Sequence, residues 1–255
     1  MTPRLPPAFL NVPLAHRALH DINKGRPENS RAAVLAAINA GYGIEIDIQQ
    51  SRDAQAMVFH DHQLARLAEG VGAVLDYSAA ELAQTRLHGG KEGIPSLREV
   101  LGLVAGRVPL LIEIKDQDGA MGPSVGPLEA SVAAALEGYK GPVAVMSYNP
   151  NSVRHMADFC PRVPRGLVTD AFDPQKCGLP AKTCDHLRAI ADYDSLGCSY
   201  ISHDWRDLER ARVSELKSQG VDILCWTVKS PAQEAQARKI AQNITFEQNL
   251  APFSS

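Results

Sequence analysis

The sequence predicts an α/β protein whose parallel strands close into a (β/α)8, or TIM, barrel. Short runs rich in β-branched residues alternate along the chain with longer runs of helical period, and this alternation is typical of a parallel sheet. The number of units fits eight strands plus one extra hairpin-like piece. A length of 255 residues, 45% of them hydrophobic, suits one such barrel, so we expect a single domain over residues 1–255.

The predicted strands are short apolar runs, several of which end in a polar or charged residue. They cover residues 9–16, 42–49, 56–61, 108–115, 142–148, 166–170, 199–204, 223–228 and 243–247.

The predicted helices fill the intervals between these strands. The first, Arg31–Ala40, has Asn29 or Ser30 as its N-cap and Gly41 just past its end. The others cover residues 97–105, 127–137, 150–159, 184–196, 207–219 and 231–239.

Residues 62–93 depart from the alternation. They contain five scattered glycines and one short predicted helix, 78–85. Because the segment is too short to bury a core of its own, we interpret it as a small insertion over the catalytic face of the barrel and not as a second domain.

Composition and charge exclude several classes of protein. A net charge of -3 and a pI near 6.2 give no general attraction for nucleic acid or for an anionic membrane surface. No apolar run reaches the length of a signal peptide or of a membrane span, so we expect a cytoplasmic protein without stable membrane insertion. The five cysteines are odd in number and show no CxxC pair, which indicates neither a disulfide framework nor a structural zinc site. The sequence leaves open whether the chain forms a homo-oligomer.

Two carboxylates share one face of the strand that reads GIEIDIQQ. Side chains alternate along a strand, so Glu45 and Asp47 point the same way while the isoleucines point the other way. Like charges on one strand face repel, and a divalent cation between them would remove the conflict. The alternative is an amphipathic edge strand with its acids in water.

A third carboxylate follows from the same alternation in LLIEIK. Glu113 faces the barrel interior near a strand carboxyl end, as Glu45 and Asp47 do, and those ends form the catalytic face of a (β/α)8 barrel. Three carboxylates favour a hard cation, Mg²⁺ or Ca²⁺, over zinc. The alternative for Glu113 is an ion pair with Lys115, two residues along the same face.

His16 and His60 end predicted strands and are the candidate proton carriers. An imidazole with a pKa of about 6.5 can accept or donate a proton near neutral pH, although each histidine alone is as consistent with a structural role. Arg17 offers a guanidinium fork for two phosphate oxygens, or is an exposed loop charge, and Lys115 offers a second positive charge to the same anion. The role of His203, near another strand end, stays open.

These residues lie in motifs that resemble those of glycerophosphodiester phosphodiesterases. The run from His16 to Arg66 contains a His-Arg pair, PEN before a helix, an E-x-D strand and a strand ending in HD, in that family's order. IPSLREVL, LLIEIK, SYNPNSVRHM and ILCWTV resemble its later blocks, so the similarity runs through most of the chain.

The resemblance implies a role for each matching position. The general acid and base would be His16 and His60, the ligands of one divalent cation Glu45, Asp47 and Glu113, the phosphate-holding groups Arg17 and Lys115, and the aromatic residue near the glycerol end Trp226.

Ser30 replaces a threonine common in the family without loss of capping chemistry, and two other departures from the family pattern bear on the site. Ala18 stands where the family usually has glycine, and we expect its methyl group to be tolerated if φ is negative. The last strand reads NITFEQN in place of the variant that ends in Thr-Asp, which leaves the leaving-group side and the role of Glu247 open.

The predicted function is metal-dependent hydrolysis of a small-molecule glycerophosphodiester to glycerol 3-phosphate and an alcohol, by general acid-base catalysis with two histidines. One alternative is a lysophospholipase D-like phosphodiesterase, which needs an apolar channel. The insertion offers for it Leu64, Leu67, Val71, Val74, Leu75 and Leu82. Another alternative is a non-catalytic barrel that binds phosphoglycerol.

Overall fold

Parallel strands close into a barrel in the computed structural model, which describes residues 3–253. The strands are β1 Leu14–Ala15, β2 Gly43–Gln50, β3 Ala56–Val58, β4 Leu110–Ile114, β5 Val143–Ser147, β6 Arg165–Thr169, β7 Tyr200–Asp204, β8 Asp222–Val228 and β9 Asn243–Phe246. Strand β1 pairs in parallel with both β2 and β9, and this closes the ring, whereas β3 pairs antiparallel with β2 outside it. The predicted eight-stranded (β/α)8 barrel with one extra hairpin strand is confirmed.

The first helix precedes β1 in the chain, and the others lie between strands. The helices are α1 Ala8–Asn11, α2 Arg31–Ala40, α3 Ala79–Gln84, α4 Leu97–Val104, α5 Pro127–Leu136, α6 Pro150–Phe159, α7 Ala181–Arg188, α8 Ala211–Ser218 and α9 Pro231–Ala237. The cap of α2 is Ser30, whose side chain accepts a hydrogen bond from the Ala33 N–H, and Gly41 ends the helix with a φ of 79°. None of the described helices is long and apolar enough to cross a membrane.

The predicted strand over residues 9–16 is wrong in its first half, where α1 stands, and β1 takes only two residues. A proline precedes the helix, and the Phe9 N–H donates to the Pro6 carbonyl over 2.9 Å. The Phe9 ring is fully buried against side chains of the barrel interior, and Asn243 Nδ2 donates to its carbonyl over 2.7 Å. The apolar run at this point therefore fills the barrel interior and does not extend the sheet.

Two later helices also differ from the prediction. Helix α7 starts earlier than 184–196 and ends at Arg188, because Ile190 has a φ of 49° that a right-handed helix cannot accommodate. In 207–219, Asp207 belongs to a 3₁₀ turn, Trp205–Asp207, and α8 begins only at Ala211. Asp204 caps the 3₁₀ turn by accepting a hydrogen bond from the Arg206 N–H.

Alternation along the strands separates two apolar layers. Ile46 of β2 and Ile112 of β4 lie in the outer cluster that packs on the helices, whereas Leu111 lies in the inner cluster within the barrel. Asp47 and Glu113 are partners in the β2–β4 register and so lie side by side on the inner face. This register places carboxylates from two strands at one level of the barrel.

Residues 62–93 form a small apolar cluster with their neighbours. Five of its eight buried members belong to the segment, and Met57, Phe59 and Ile94 on either side complete it. Because the cluster includes residues on both flanks of the segment, we propose that the segment belongs to one domain with the barrel.

Candidate active site

One pocket at the carboxyl ends of the barrel strands collects the predicted site residues. Seven of the eight line it, together with Met146, Tyr148, Thr227 and Thr245; the seven are His16, Arg17, Glu45, His60, Glu113, Lys115 and Trp226. The eighth, Asp47, is buried behind them, with its Oδ1 2.7 Å from the Lys115 Nζ. The structure therefore brings all eight together.

The three carboxylates form a compact buried group. Glu45, Asp47 and Glu113 each offer an oxygen, and these oxygens all lie within 4.8 Å of one another. Two of the carboxylates come from β2 and one from β4, so the group depends on the pairing of these strands. Its geometry is that of a candidate site for one cation with oxygen ligands.

The electrostatics of the group favour added positive charge. Burial, followed by the charges of Asp47 and Glu113, raises the pKa of Glu45 well above its usual value. Burial also raises the pKa of Glu113. The Glu45 Oε1 atom is buried and has no hydrogen-bond partner among the described residues. Three carboxylates with an unpartnered buried oxygen fit a hard divalent cation, which takes oxygen ligands.

Lys115 lies between two of these acids. Its Nζ is 2.6 Å from Glu113 Oε1 and 2.7 Å from Asp47 Oδ1. Burial opposes the charge of this ammonium group, but the two carboxylates raise the pKa of Lys115 above its usual value. Although burial raises the pKa of Asp47, the charges of Lys115 and then His60 bring it below its usual value. The Glu113–Lys115 ion pair, which was the alternative for Glu113, and the predicted acidic group are thus both present.

Asn29 belongs to the site, although the sequence indicated it only as a candidate helix cap. Its Nδ2 donates to Asp47 Oδ2 over 2.9 Å, and its Oδ1 accepts from the Asp47 N–H over 3.3 Å. Asn29 has a φ of 59°, which asparagine tolerates better than most residues. The asparagine in PEN, just before a capped helix, was the signal available in the sequence.

His16 is held by a carboxylate that the sequence left without a role. The His16 Nδ1 lies 2.7 Å from Glu247 Oε2, just past β9, and the Lys229 Nζ lies 2.5 Å from the other Glu247 oxygen. Burial lowers the pKa of His16, and the hydrogen bond that His16 makes to Glu247 partly opposes this. The hydrogen bond from His16, together with the nearby His20 ring, whose Nε2 lies 3.8 Å from Glu247 Oε2, lowers the pKa of Glu247 and keeps this carboxylate ionised.

His60 is contacted by a different carboxylate, that of Asp61. Its Nδ1 lies 2.6 Å from Asp61 Oδ1, and both contacts from Arg66 to the Asp61 carboxylate measure 2.6 Å. His60 follows the antiparallel strand β3. The β2–β3 hairpin brings it back to the pocket, where the Phe59 N–H donates to the Asp47 carbonyl over 2.9 Å. Burial lowers the pKa of His60. The charges of His60 and His16 both lower the pKa of Asp47, so both rings lie near the acidic group.

Arg17 and Ala18 form a tight left-handed turn after β1. The Arg17 N–H donates to Glu45 Oε2 over 2.9 Å, and its Nη1 donates to Glu28 Oε1 over 2.7 Å. Only 17% of the Arg17 side chain is exposed, so the alternative of a free loop charge is wrong. The condition under which the Ala18 methyl group would be tolerated, a negative φ, is not met: its φ is 64°, and its N–H donates to the Glu45 carbonyl over 3.0 Å. A methyl group in this region costs about 1–2 kcal/mol relative to glycine.

Trp226 and Tyr148 form an aromatic wall of the pocket. Trp226 of β8 donates from Nε1 to the Ser202 carbonyl over 3.0 Å, which fixes the plane of the indole. The Tyr148 ring meets it edge-on, with ring centroids 5.9 Å apart. The two rings give the pocket an apolar surface.

His203 has a structural position. It is fully buried on the helix-facing side of β7, the face that also carries Ile201. Its Nδ1 lies 2.7 Å from Thr169 Oγ1, and its Nε2 lies 3.2 Å from the Asp207 carboxylate. These contacts join β6, β7 and the turn after β7, and they account for both ring nitrogens.

Comparisons with known proteins agree with this geometry. Residues 16–244 match the model of the glycerophosphoryl diester phosphodiesterase family. A glycerophosphodiester phosphodiesterase from Caldanaerobacter subterraneus subsp. tengcongensis is 29% identical over 225 residues, covering 84% of each chain.

Solved structures show the same fold at lower identity. A phosphodiesterase from Oleispira antarctica, in complex with the product sn-glycerol-3-phosphate, superposes with a TM-score of 0.75 at 22% identity, over 92% of both chains. A glycerophosphodiester phosphodiesterase from Thermotoga maritima gives a TM-score of 0.69 at 20% identity, over 92% of this chain and 94% of the other. Since the family model spans most of the barrel and the site, the chain belongs to the glycerophosphoryl diester phosphodiesterase family, a class of phosphoric diester hydrolases.

Proposed function

We propose that this protein hydrolyses glycerophosphodiesters to glycerol 3-phosphate and an alcohol, with two histidines as general acid and base and one divalent cation. The observation that carries the proposal is the convergence in one pocket of two histidines, each paired with its own carboxylate, and a separate group of three acids. Histidines supply proton transfer and grouped carboxylates supply cation binding, which are the two needs of phosphodiester hydrolysis.

Glu45, Asp47 and Glu113 would hold the cation, Mg²⁺ or Ca²⁺. When bound, it offsets the negative charge that builds on the non-bridging phosphate oxygens in the transition state. Asn29 contributes by fixing the Asp47 carboxylate through two hydrogen bonds.

The histidines would move the protons. Because Glu247 and Asp61 each contact an Nδ1 atom, the Nε2 atoms of His16 and His60 stay available for the substrate. One ring accepts a proton from the attacking oxygen, and the other donates a proton to the departing alcohol. Burial lowers the pKa of both rings, which favours the unprotonated form that a general base needs.

Arg17 and Lys115 would hold the phosphate, and Trp226 would contact the glycerol. Both cations line the pocket beside the acidic group, and Trp226 lines it as part of the aromatic wall. A guanidinium and an ammonium group together provide two positive charges for the non-bridging oxygens.

Replacement of each histidine tests the acid-base assignment. We expect His16→Ala and His60→Ala to lower turnover of glycerophosphocholine by about 10²- to 10⁴-fold, the usual worth of a general acid or base. His88→Ala, on an exposed histidine of the insertion, is the matched control and keeps wild-type turnover. Wild-type turnover in either pocket variant would contradict the assignment.

Chelation tests the cation separately. Treatment with a chelator should abolish turnover, and add-back of Mg²⁺ or Ca²⁺ should restore it. Calorimetry of Glu45→Gln should show weaker cation binding than the wild type, because the variant lacks one carboxylate. Full turnover after exhaustive chelation would overturn the metal requirement.

The lysophospholipid alternative has less support. Of the six apolar residues that could form its channel, Leu64, Val74 and Leu82 are buried in the cluster of the insertion, and none of the six lines the pocket described above. We expect glycerophosphocholine to be cleaved faster than its long-chain acyl form. Binding of glycerol 3-phosphate without turnover of either diester would instead favour the non-catalytic alternative.

A further inference from the structure

Arg66 of the insertion contacts two carboxylates at the edge of the pocket. Its Nε lies 2.6 Å from Asp61 Oδ2, and its Nη2 lies 2.6 Å from Asp61 Oδ1. The same guanidinium reaches Glu28, with Nη2 3.3 Å from Oε1 and Nη1 3.4 Å from Oε2. One side chain from outside the barrel thus engages two acids at once.

Each of these acids holds a residue of the proposed mechanism. Asp61 Oδ1 lies 2.6 Å from the His60 Nδ1, and Glu28 Oε1 lies 2.7 Å from the Arg17 Nη1. The contacts therefore run in the order His60, Asp61, Arg66, Glu28, Arg17. In the proposed mechanism, His60 at one end of this series of contacts moves a proton, and Arg17 at the other end holds the phosphate.

This series of contacts depends on the Arg66 guanidinium at its centre. Asp61 and Glu28 are both negative, and without a cation between them they would repel each other and compete for other donors. The planar fork of arginine can satisfy two oxygens of Asp61 and still direct donors toward Glu28, which a lysine ammonium cannot do from one position. Although burial raises the pKa of Asp61, hydrogen bonds from Arg66 and His60 lower it to about 2, so the acid that contacts the His60 Nδ1 stays ionised.

We propose that Arg66 is a positioning residue that sets His60 and Arg17 in register with each other. The inference rests on the proposed function, because it assigns Arg66 a part in the reaction that His60 and Arg17 carry out. It also gives the 62–93 segment a catalytic purpose, since the segment supplies the group that orders the acid-base and phosphate-binding sides of the pocket.

Arg66→Met, with Arg86→Met as the matched control, tests the proposal. Both arginines belong to the insertion and are similarly exposed, at 51% and 57%, but Arg86 pairs with Glu69 and not with the pocket. We expect Arg66→Met to lower kcat by about 10- to 100-fold, as the loss of a supporting residue commonly does. The variant should also raise KM, because Glu28, which contacts Arg17, loses its contact with Arg66. Arg86→Met should leave both values unchanged.

Further variants separate positioning from a contribution to folding. Arg66→Lys keeps the charge but should not restore kcat, because the ammonium lacks the fork. In a His60→Ala background, Arg66→Met should cause little additional loss of kcat, because its main target is already missing. Equal losses of kcat in the two backgrounds, or full rescue by lysine, would overturn the proposal.

A spectroscopic measurement keeps this inference distinct from the proposed function. The imidazole Nδ1–H resonance of His60 reports its hydrogen bond to Asp61, and it should shift in Arg66→Met but not in Arg86→Met. If the wild type cleaves no glycerophosphodiester, the proposed function fails, yet the resonance still decides whether Arg66 positions His60. An unchanged resonance in Arg66→Met would overturn the inference.

Discussion

Glu247→Gln should weaken catalysis by releasing His16. The Glu247 carboxylate holds the His16 Nδ1 at 2.7 Å, and Lys229 holds its other oxygen. Glutamine keeps the size and one carbonyl oxygen but loses the charge. The perturbation therefore tests the carboxylate and leaves the volume of the pocket almost unchanged.

The magnitude follows from the type of bond. A hydrogen bond to a charged partner contributes about 1.5–3 kcal/mol, and each 1.4 kcal/mol corresponds to about a tenfold change in rate. We therefore expect kcat/KM for glycerophosphocholine to fall by about 10- to 100-fold. Because the hydrogen bond from His16 to Glu247 raises the pKa of His16 against the effect of burial, its loss should move the His16 limb of the pH–rate profile to lower pH.

The assay is the pH–rate profile of Glu247→Gln and of a matched control variant, each compared with the wild type. Glu234→Gln is the control, because Glu234 is buried and, like Glu247, ion-paired, with Arg238 at 2.6 Å, but lies on α9 and does not line the pocket. It should change stability without shifting the profile. Wild-type kcat/KM with an unshifted profile in Glu247→Gln would refute the reasoning.

Three further measurements follow from the structure. Ala105→Gly should raise the free energy of unfolding by about 1 kcal/mol, because Ala105 ends α4 with a φ of 46°; Ala130→Gly, in the exposed middle of α5, should lower it by about 1 kcal/mol in the same urea titration. Burial lowers the pKa of His203, so the unfolded chain takes up its proton first and stability should fall as the pH drops below about 6.5. His203→Gln should flatten this slope in melts between pH 7.5 and 5, and an identical slope would contradict it. Of the two tryptophans, only Trp226 lines the pocket, so glycerol 3-phosphate should change the fluorescence of Trp205→Phe and not that of Trp226→Phe.

The period of the strands explains why the acidic group could be predicted. Side chains alternate with a period of two, and parallel strands present their carboxyl ends at one edge. Given a barrel, Glu45, Asp47 and Glu113 had to face inward near the same level, and the β2–β4 register places Asp47 opposite Glu113. Residue type and spacing were sufficient because the geometry is repetitive.

The partners of the histidines do not follow from any period. Glu247 reaches His16 across 231 positions of sequence, through the closure of β9 onto β1. Asp61 neighbours His60 in sequence, but its hold on the ring depends on Arg66 and on a hairpin whose direction the sequence did not specify. Such contacts are set by tertiary packing, where each partner is one of many polar residues near a strand end.

The turn after β1 shows why local rules failed at the site itself. Arg17 and Ala18 have φ values of 53° and 64°, a conformation that alanine disfavours. The conformation brings the N–H of both residues onto Glu45, at its carboxylate and at its carbonyl. Both hydrogen bonds involve the strand that carries two of the three acids, so they compensate for the strain while fixing the acidic group. A rule based on residue preference alone predicts the relaxed backbone, because it cannot include contacts that form only when β1 and β2 lie side by side.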